Sequence, residues 1–337
     1  MATKNATRPT LLDVASRTDE KGNVIAVAEV LQETNEVLDD MVWQEGNLPT
    51  GHKSVVRTGY PAPTWRKMYG GVQPTKSTTT PVTDTTGMLE AYAEVDKALA
   101  DLNGNTAEFR LSEDKPHIIG MNEEMTDTLW YGNESTEPEA FTGFSPRFNS
   151  LGVENSDNII DAGGTGTDNA SIWLICWSSE TCFGIYPKGS TAGLQSDDKG
   201  QVTIEDIDGN GGRMEAYRTH YRWDSGLCVK DWRYVVRICN IDKSLLSTVY
   251  TAGAFATGAH LPELMFAAIE RIPNMSIGNC AFYMSRDIRT KIRQQAAAAT
   301  QSSTLDVSEV GGKIVTSYHG VPLRRVDALA GDEARIT

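Results

Sequence analysis

The segment from Gly51 to Asp84 restricts the fold more than any other part of the chain. It reads "GHKSVVRTGYPAPTWRKMYGGVQPTKSTTTPVTD" and carries Lys53, Arg57, Arg66, Lys67 and Lys76, with no acid before Asp84. Its β-branched and aromatic residues favour extended backbone, while Pro61, Pro63 and Pro74 interrupt regular pairing. Few aliphatic side chains are available to fold the segment onto itself. The pattern predicts a long irregular hairpin. About 17 residues per arm at ~3.3 Å each would reach roughly 55 Å. A compact domain of this length has a radius of gyration of only about 20 Å, so the arm projects past its own body. Long structured loops are usually functional.

The arm is basic in a chain whose net charge is −14. Residues 46–83 are formally +5, which leaves −14 − 5 = −19 for the remainder. An acidic body repels a phosphate backbone, which argues against sequence-specific nucleic-acid binding. With 39% apolar and 23% charged residues the chain reads as globular, large enough for one big domain or two ordinary ones. The opening "MATKNATRPT" has no apolar core of a signal peptide. The longest apolar runs, "ASIWLICW" and "LMFAAI", fall well short of the ~20 residues of a membrane-spanning helix. A soluble protein made in the cytosol is expected. Five cysteines without a CxxC spacing then suggest reduced, buried thiols and no structural zinc.

Along the chain, "TLLDVASRTDEKG" reads as a brief helix capped by Thr10. A clearer helix starts near Asn23, with Val27, Leu31, Leu38 and Met41 on one face. Glu29, Glu33, Glu36 and Asp40 repeat the same steps on the opposite face. After the arm, "GMLEAYAEVDKALADLNG" alternates as a strand. Helical periodicity follows from about Asn105 to Tyr131, with Ile118, Met121, Met125 and Leu129 forming a long apolar face. Pro116 marks a kink or the first turn of a second helix. From Phe141 to Asp242 strands dominate: "SIWLICW" and "CFGIYPKG" as short core strands, a hairpin around Asp208–Gly212, and "GLCVKDWRYVVRICNI" as one strand. Leu261–Arg271 is a helix, "NCAFYMSRDIRTKIRQQ" a buried strand feeding a helix, and "GKIVTSYHGVPLRRVDAL" closes the chain with strands. The order is mixed α+β without regular βαβ alternation.

No catalytic constellation emerges. "DIDGNGG" begins like a calcium loop, but Tyr217 stands where the bidentate Glu belongs, so a Gly-rich hairpin turn is the better reading. "DAGGTGTDNAS" has the glycines of a phosphate cradle without its Gly-Lys-Ser/Thr, and it precedes a strand. "PKGST" has Lys and Gly in the wrong order. His52, His117, His220, His260 and His319 lie outside any nucleophile or zinc-protease context. No cofactor and no metal is expected.

An acidic helix, a projecting basic arm, a returning strand and a long helix precede a mixed body. That order resembles the tailed-bacteriophage major capsid fold. Segments such as "EVLDDMVWQEGNLPTGHKSVVRTGYP", "EAYAEVDKALADLNGNTAEFRLSED", "FSPRFNSL" and "YHGVPLRRVDAL" are similar to major capsid proteins of short-tailed phages such as the Bordetella tropism-switching phage. The resemblance implies an α+β capsid fold with an N-terminal arm and acidic helix (1–45), an extended loop and returning strand (46–96), a spine-helix region of the peripheral domain (97–140), and an axial domain with remaining peripheral strands (141–337).

It also implies self-assembly into hexamers and pentamers of an icosahedral virion shell, formed in the host cytoplasm around packaged DNA that is contacted only non-specifically. Portal, scaffolding and cement proteins would be partners, and a membrane would not. Some relatives crosslink a loop Lys to an Asn on another subunit, for which Lys53, Lys67 and Lys76 are available. Expected intersubunit contacts are Lys53, Arg57, Tyr60, Trp65, Arg66, Lys67, Tyr69 and Lys76 from the arm, against Glu29, Glu33, Glu36 and Asp40. The alternatives are an encapsulin-like compartment or an acidic cytosolic hydrolase.

Overall fold

The computed structural model describes residues 9, 33, 35–102, 106–153, 155–205, 211–247, 249–251, 254–255, 257–298, 305–310, 313–329 and 331–337. The chain divides into two compact units. The first comprises 1–33, 88–125 and 193–224; the second comprises 34–87, 126–192 and 225–337. The strands are β1 (Trp43–Glu45), β2 (Gly51–Gly59), β3 (Thr78–Asp96), β4 (Ile159–Asp161), β5 (Asn169–Trp177), β6 (Cys182–Tyr186), β7 (Gln195–Glu205), β8 (Arg213–Val229), β9 (Val235–Asp242), β10 (Tyr250–Thr251), β11 (Ala254–Phe255), β12 (Asn279–Met284), β13 (Leu305–Val310), β14 (Lys313–Tyr318) and β15 (Val321–Arg325). The expected α+β class is observed.

The second unit is built around β5, in which every residue is buried. It pairs antiparallel with β9 on one side and with β12 on the other. β12 continues parallel into β15, which pairs with β14. Burial on both faces explains why "SIWLICW" is continuously apolar rather than alternating. Ile172, Leu174 and Cys176 face a cluster that includes Leu261, Met265, Ile288 and Ile292, from helices Leu261–Arg271 and Arg286–Ala298. On the opposite face, Trp173 and Trp177 meet Trp130, Phe144 and Phe148 with ring centroids 5.7–5.9 Å apart, a normal range for tilted and edge-on aromatic pairs.

In the first unit β7 and β8 pair antiparallel from Gln195↔Arg222 to Glu205↔Arg213. β3 is the next neighbour of β8. The N-terminal part of the helix Thr106–Tyr131 packs there, with Phe109 against Val95 and Ala100, and Met121 against Ala93 and Tyr221.

Several expectations change. The helical stretch is one 26-residue helix that runs through Pro116. Pro116 is exposed, so the carbonyl it deprives of a partner can meet water. Met121, Met125 and Leu129 are buried as expected, but Ile118 remains 40% exposed. "GLCVKDWRYVVRICNI" is not one strand. β8 ends at Val229, and a 3₁₀ turn at Trp232–Tyr234, capped by the Asp231 side chain, re-aims the chain into β9.

The cysteines also differ from expectation. Cys176 and Cys280 form a disulfide, while Cys182, Cys228 and Cys239 are free and buried. The β5–β12 register sets these two residues directly opposite each other, a fact hidden by their separation of 104 residues.

Of the helix expected from Asn23, only the turn Val37–Asp40 is helical among the described residues; Asn35 instead forms an isolated bridge with Val326, and Met41 is extended. There Val37, not Leu38, is the fully buried residue. Residues 23–32 and 34, the brief helix before them and most of "DIDGNGG" lie outside the described residues, although β7 and β8 do form the expected hairpin around the latter. "DAGGTGTDNAS" is a loop leading into β5, and "PKGST" is a turn. Among the described residues no helix is long and apolar enough to cross a membrane.

Candidate assembly interface

The arm is a hairpin of β2 and the first part of β3, paired from Gly51↔Thr85 to Gly59↔Thr78 with an irregularity between Arg57 and Gly59. Its foot is fixed at several points. The Asn47 side chain accepts from Lys53 N–H and donates to Lys53 O, each at 2.7 Å, which closes the entry turn. Gly51 crosses so close to β3 that a Cβ there would lie 2.1 Å from Asp84 O, so no other residue fits. The Asp84 carboxylate is buried and accepts from Arg147 Nη1 at 2.8 Å. The same guanidinium reaches the carbonyls of Thr142 and Leu227. Beside it, His52 stacks edge-on against Phe183 at 5.5 Å, and burial pushes its imidazole below the usual range. Burial, reinforced by the Asp84 charge, pushes the Cys228 thiol up.

Beyond this foot, residues 60–77 have no regular structure and nearly all are exposed. Trp65 and Tyr69 are fully solvated at 104% and 103%, with Met68 at 89% and Tyr60 at 83%. Tyr69 has φ 62°, held in a turn where Gly70 N–H donates to Lys67 O at 3.1 Å. A non-glycine residue in this region carries a strain on the order of 1 kcal/mol. Lys53, Arg57, Arg66, Lys67 and Lys76 are all exposed, and none forms an ion pair among the described residues. Four large side chains and five cations of the arm are thus exposed. Solvated aromatic groups of this size are characteristic of surfaces that meet a partner.

Of the acids expected opposite them, Glu36 and Asp40 lie beside Arg324. Asp40 accepts from Arg324 at 2.7 Å and from the Tyr283 hydroxyl at 3.0 Å, and Trp177 Nε1 donates to Tyr283. Burial, with the Asp40 charge beside it, pushes the Tyr283 hydroxyl well up. Glu36 lies 3.8 Å from Arg324 and accepts from Arg325 N–H. Both acids therefore have partners inside their own subunit. Glu33 N–H donates to Glu123, and Glu29 lies outside the described residues. Sequence reading missed Asn47, Asp84 and Arg147, whose only signal is an acid placed where the basic run ends. Among the described residues no group of three or more His, Cys, Asp or Glu side chains converges as a metal site.

The family model for the major capsid protein GP7 matches residues 19–337. The chain belongs to this family of major capsid proteins. A chain of the bacteriophage Epsilon15 structure is similar to this capsid protein at 35% identity and TM-score 0.78, with 100% of this chain and 99% of that chain covered. The bacteriophage JBD30 capsid gives 8% identity and TM-score 0.46, covering 90% and 91%. The SrpI encapsulin of Synechococcus elongatus gives 10% and 0.43, covering 68% and 95%. No curated protein matches the chain. The expected capsid fold is thus observed, and the subunit's role is structural, as the shell protein of a phage virion.

Proposed function

We propose that copies of this subunit join into hexamers and pentamers of an icosahedral shell around the phage genome, each arm lying over a neighbouring copy. The observation that carries this reading is the exposure of Tyr60, Trp65, Met68 and Tyr69 beyond a rigidly anchored foot. Residues 60–77 have few groups of their own to offset the ordering of backbone, about 1–2 kcal/mol per residue, so a second surface must supply the contacts. Opposite charge on that surface sets register and rate more than affinity.

With Glu36 and Asp40 already paired to Arg324, the better acceptors on a neighbour are Asp127, Glu137 and Glu139. They are exposed and lie in a stretch, 118–146, without a single Lys or Arg. We assign the unit containing 88–125 and 193–224 to a peripheral domain and the β5-centred unit to the axial domain; their separate compactness supports this. The sequence pattern supports a phage of the short-tailed group; portal, scaffolding and cement proteins complete the set of partners. A genome-enclosing shell is preferred to an encapsulin-like compartment because the match at 35% identity, over the whole chain, is to a phage.

The experiment compares limited proteolysis of unassembled subunits and of particles seen by negative-stain microscopy. Cleavage near Arg57, Arg66, Lys67 and Lys76 is expected in free subunits and protection after assembly. Equal cleavage in both states removes the arm from the interface.

A further inference from the structure

The helix Arg286–Ala298 buries Ile288, Ile292 and Gln295 on one side. At 100° per residue, Arg286, Arg289 and Arg293 fall in a stripe on the other side, about 10 Å long at 1.5 Å per residue. Asp287 stands in the first turn, and from 288 to 305 the chain has no acid. Arg286 is taken, since its Nε donates to Asp327 Oδ1 at 2.6 Å. Arg289 and Arg293 form no ion pair among the described residues, and neither does Arg325 of the neighbouring strand β15. Burial holds the Arg289 pKa below its ordinary value; Glu36 opposes this, while the Arg325 and Arg324 charges add to it. Arg324 is already held by Asp40. Three unpaired guanidinium groups therefore share one face of an otherwise acidic body.

What this face lacks decides the kind of partner. Among the side chains described after Gly278, none that is large and apolar is exposed. A protein interface is built on an apolar core with aromatic anchors, such as the arm offers in Trp65 and Tyr69. A nucleic-acid interface is instead polar and positively charged. The planar fork of arginine matches phosphate oxygens and can bind them in pairs. The face thus suits a phosphate backbone better than a second protein surface.

We infer that Arg289, Arg293 and Arg325 form the subunit's contact with the phosphate backbone of the packaged DNA, so that this face of helix Arg286–Ala298 turns toward the interior of the shell. The inference rests on the reading that the shell encloses a genome. The first test titrates unassembled full chain into a fluorescent DNA duplex and follows anisotropy at several salt concentrations. Each neutralised phosphate contributes about 0.9 to the slope of log affinity against log salt, so Arg289→Gln with Arg293→Gln should make that slope shallower by about 2 and weaken binding at low salt at least about tenfold. An unchanged slope would leave DNA binding to the arm and overturn the inference. Because the slope is read on free subunits, it moves whether or not the arm proves to lie between copies. The second test treats particles with phenylglyoxal and locates modified arginines by mass spectrometry. Arg289 and Arg293 should react in DNA-free particles and be spared in DNA-filled ones. Equal reaction in both would turn the face away from the genome, and protection in both would set it against a neighbouring copy; either result overturns the inference. Glutamine is a good helix former, and circular dichroism confirms the fold. Arg293→Gln alone, at an exposed position, should still change the slope by about 1 if the double variant unfolds.

Discussion

Arg147 Nη1 lies 2.8 Å from Asp84 Oδ1, and this ion pair joins the foot of the arm to the second unit's body. The Asp84 side chain is only 3% exposed, so an unpaired carboxylate there has no water to turn to. Replacing Arg147 by Leu is expected to destabilise the protein by about 3 kcal/mol. Arg147→Lys should recover part of this, because an ammonium cannot fork to the Thr142 and Leu227 carbonyls as well. Urea denaturation measures the loss, and hydrogen exchange at 51–59 and 78–86 shows whether it is localised to the arm.

The same foot gives a pH dependence. Burial lowers the His52 pKa in the folded protein from the usual 6.5. The unfolded state therefore takes up its proton first as pH falls. The stability contributed by neutral His52 is complete above about pH 6.5 and declines as pH drops toward the lower folded value. Thermal melts at pH 7.5 and pH 5.5 should show a larger decrease for wild type than for His52→Gln. Identical decreases would separate His52 from the effect.

Cys176 and Cys280 close a loop of about 100 residues, for which the chain-entropy estimate is roughly 4–5 kcal/mol. Thiol blocking in denaturant without reductant should label three cysteines, and with reductant all five. The midpoint of denaturation should fall on reduction. Five labelled cysteines without reductant would remove the crosslink.

Trp65 and Tyr69 are fully exposed, so Trp65→Ala with Tyr69→Ala should leave stability within about 0.5 kcal/mol. Light scattering should nevertheless show particle formation slowed or abolished. Arg66→Glu with Lys67→Glu is expected to act in the same direction. Raising salt from about 0.1 M to 1 M, which shortens the screening length from ~10 Å to ~3 Å, should weaken wild-type assembly too. Normal particles from the aromatic double variant would move the contact surface elsewhere on the subunit.

What the sequence alone determined was whatever depends on neighbours along the chain. Alternation and 3.6-residue periodicity located the strand that leaves the arm, the long helix and Leu261–Arg271. The continuous apolar run of β5 marked a strand buried on both faces. The basic, proline-broken arm was legible because a stretch without aliphatic residues has no means of covering itself. The tertiary structure decided what depends on register between distant segments. Arg324 donates to Asp40 across 284 residues, a pairing that no local pattern announces. Strand register alone sets Cys176 against Cys280. Ile118 obeys the helical period yet stays exposed, because periodicity defines a face and only packing decides how far the covering surface extends along it.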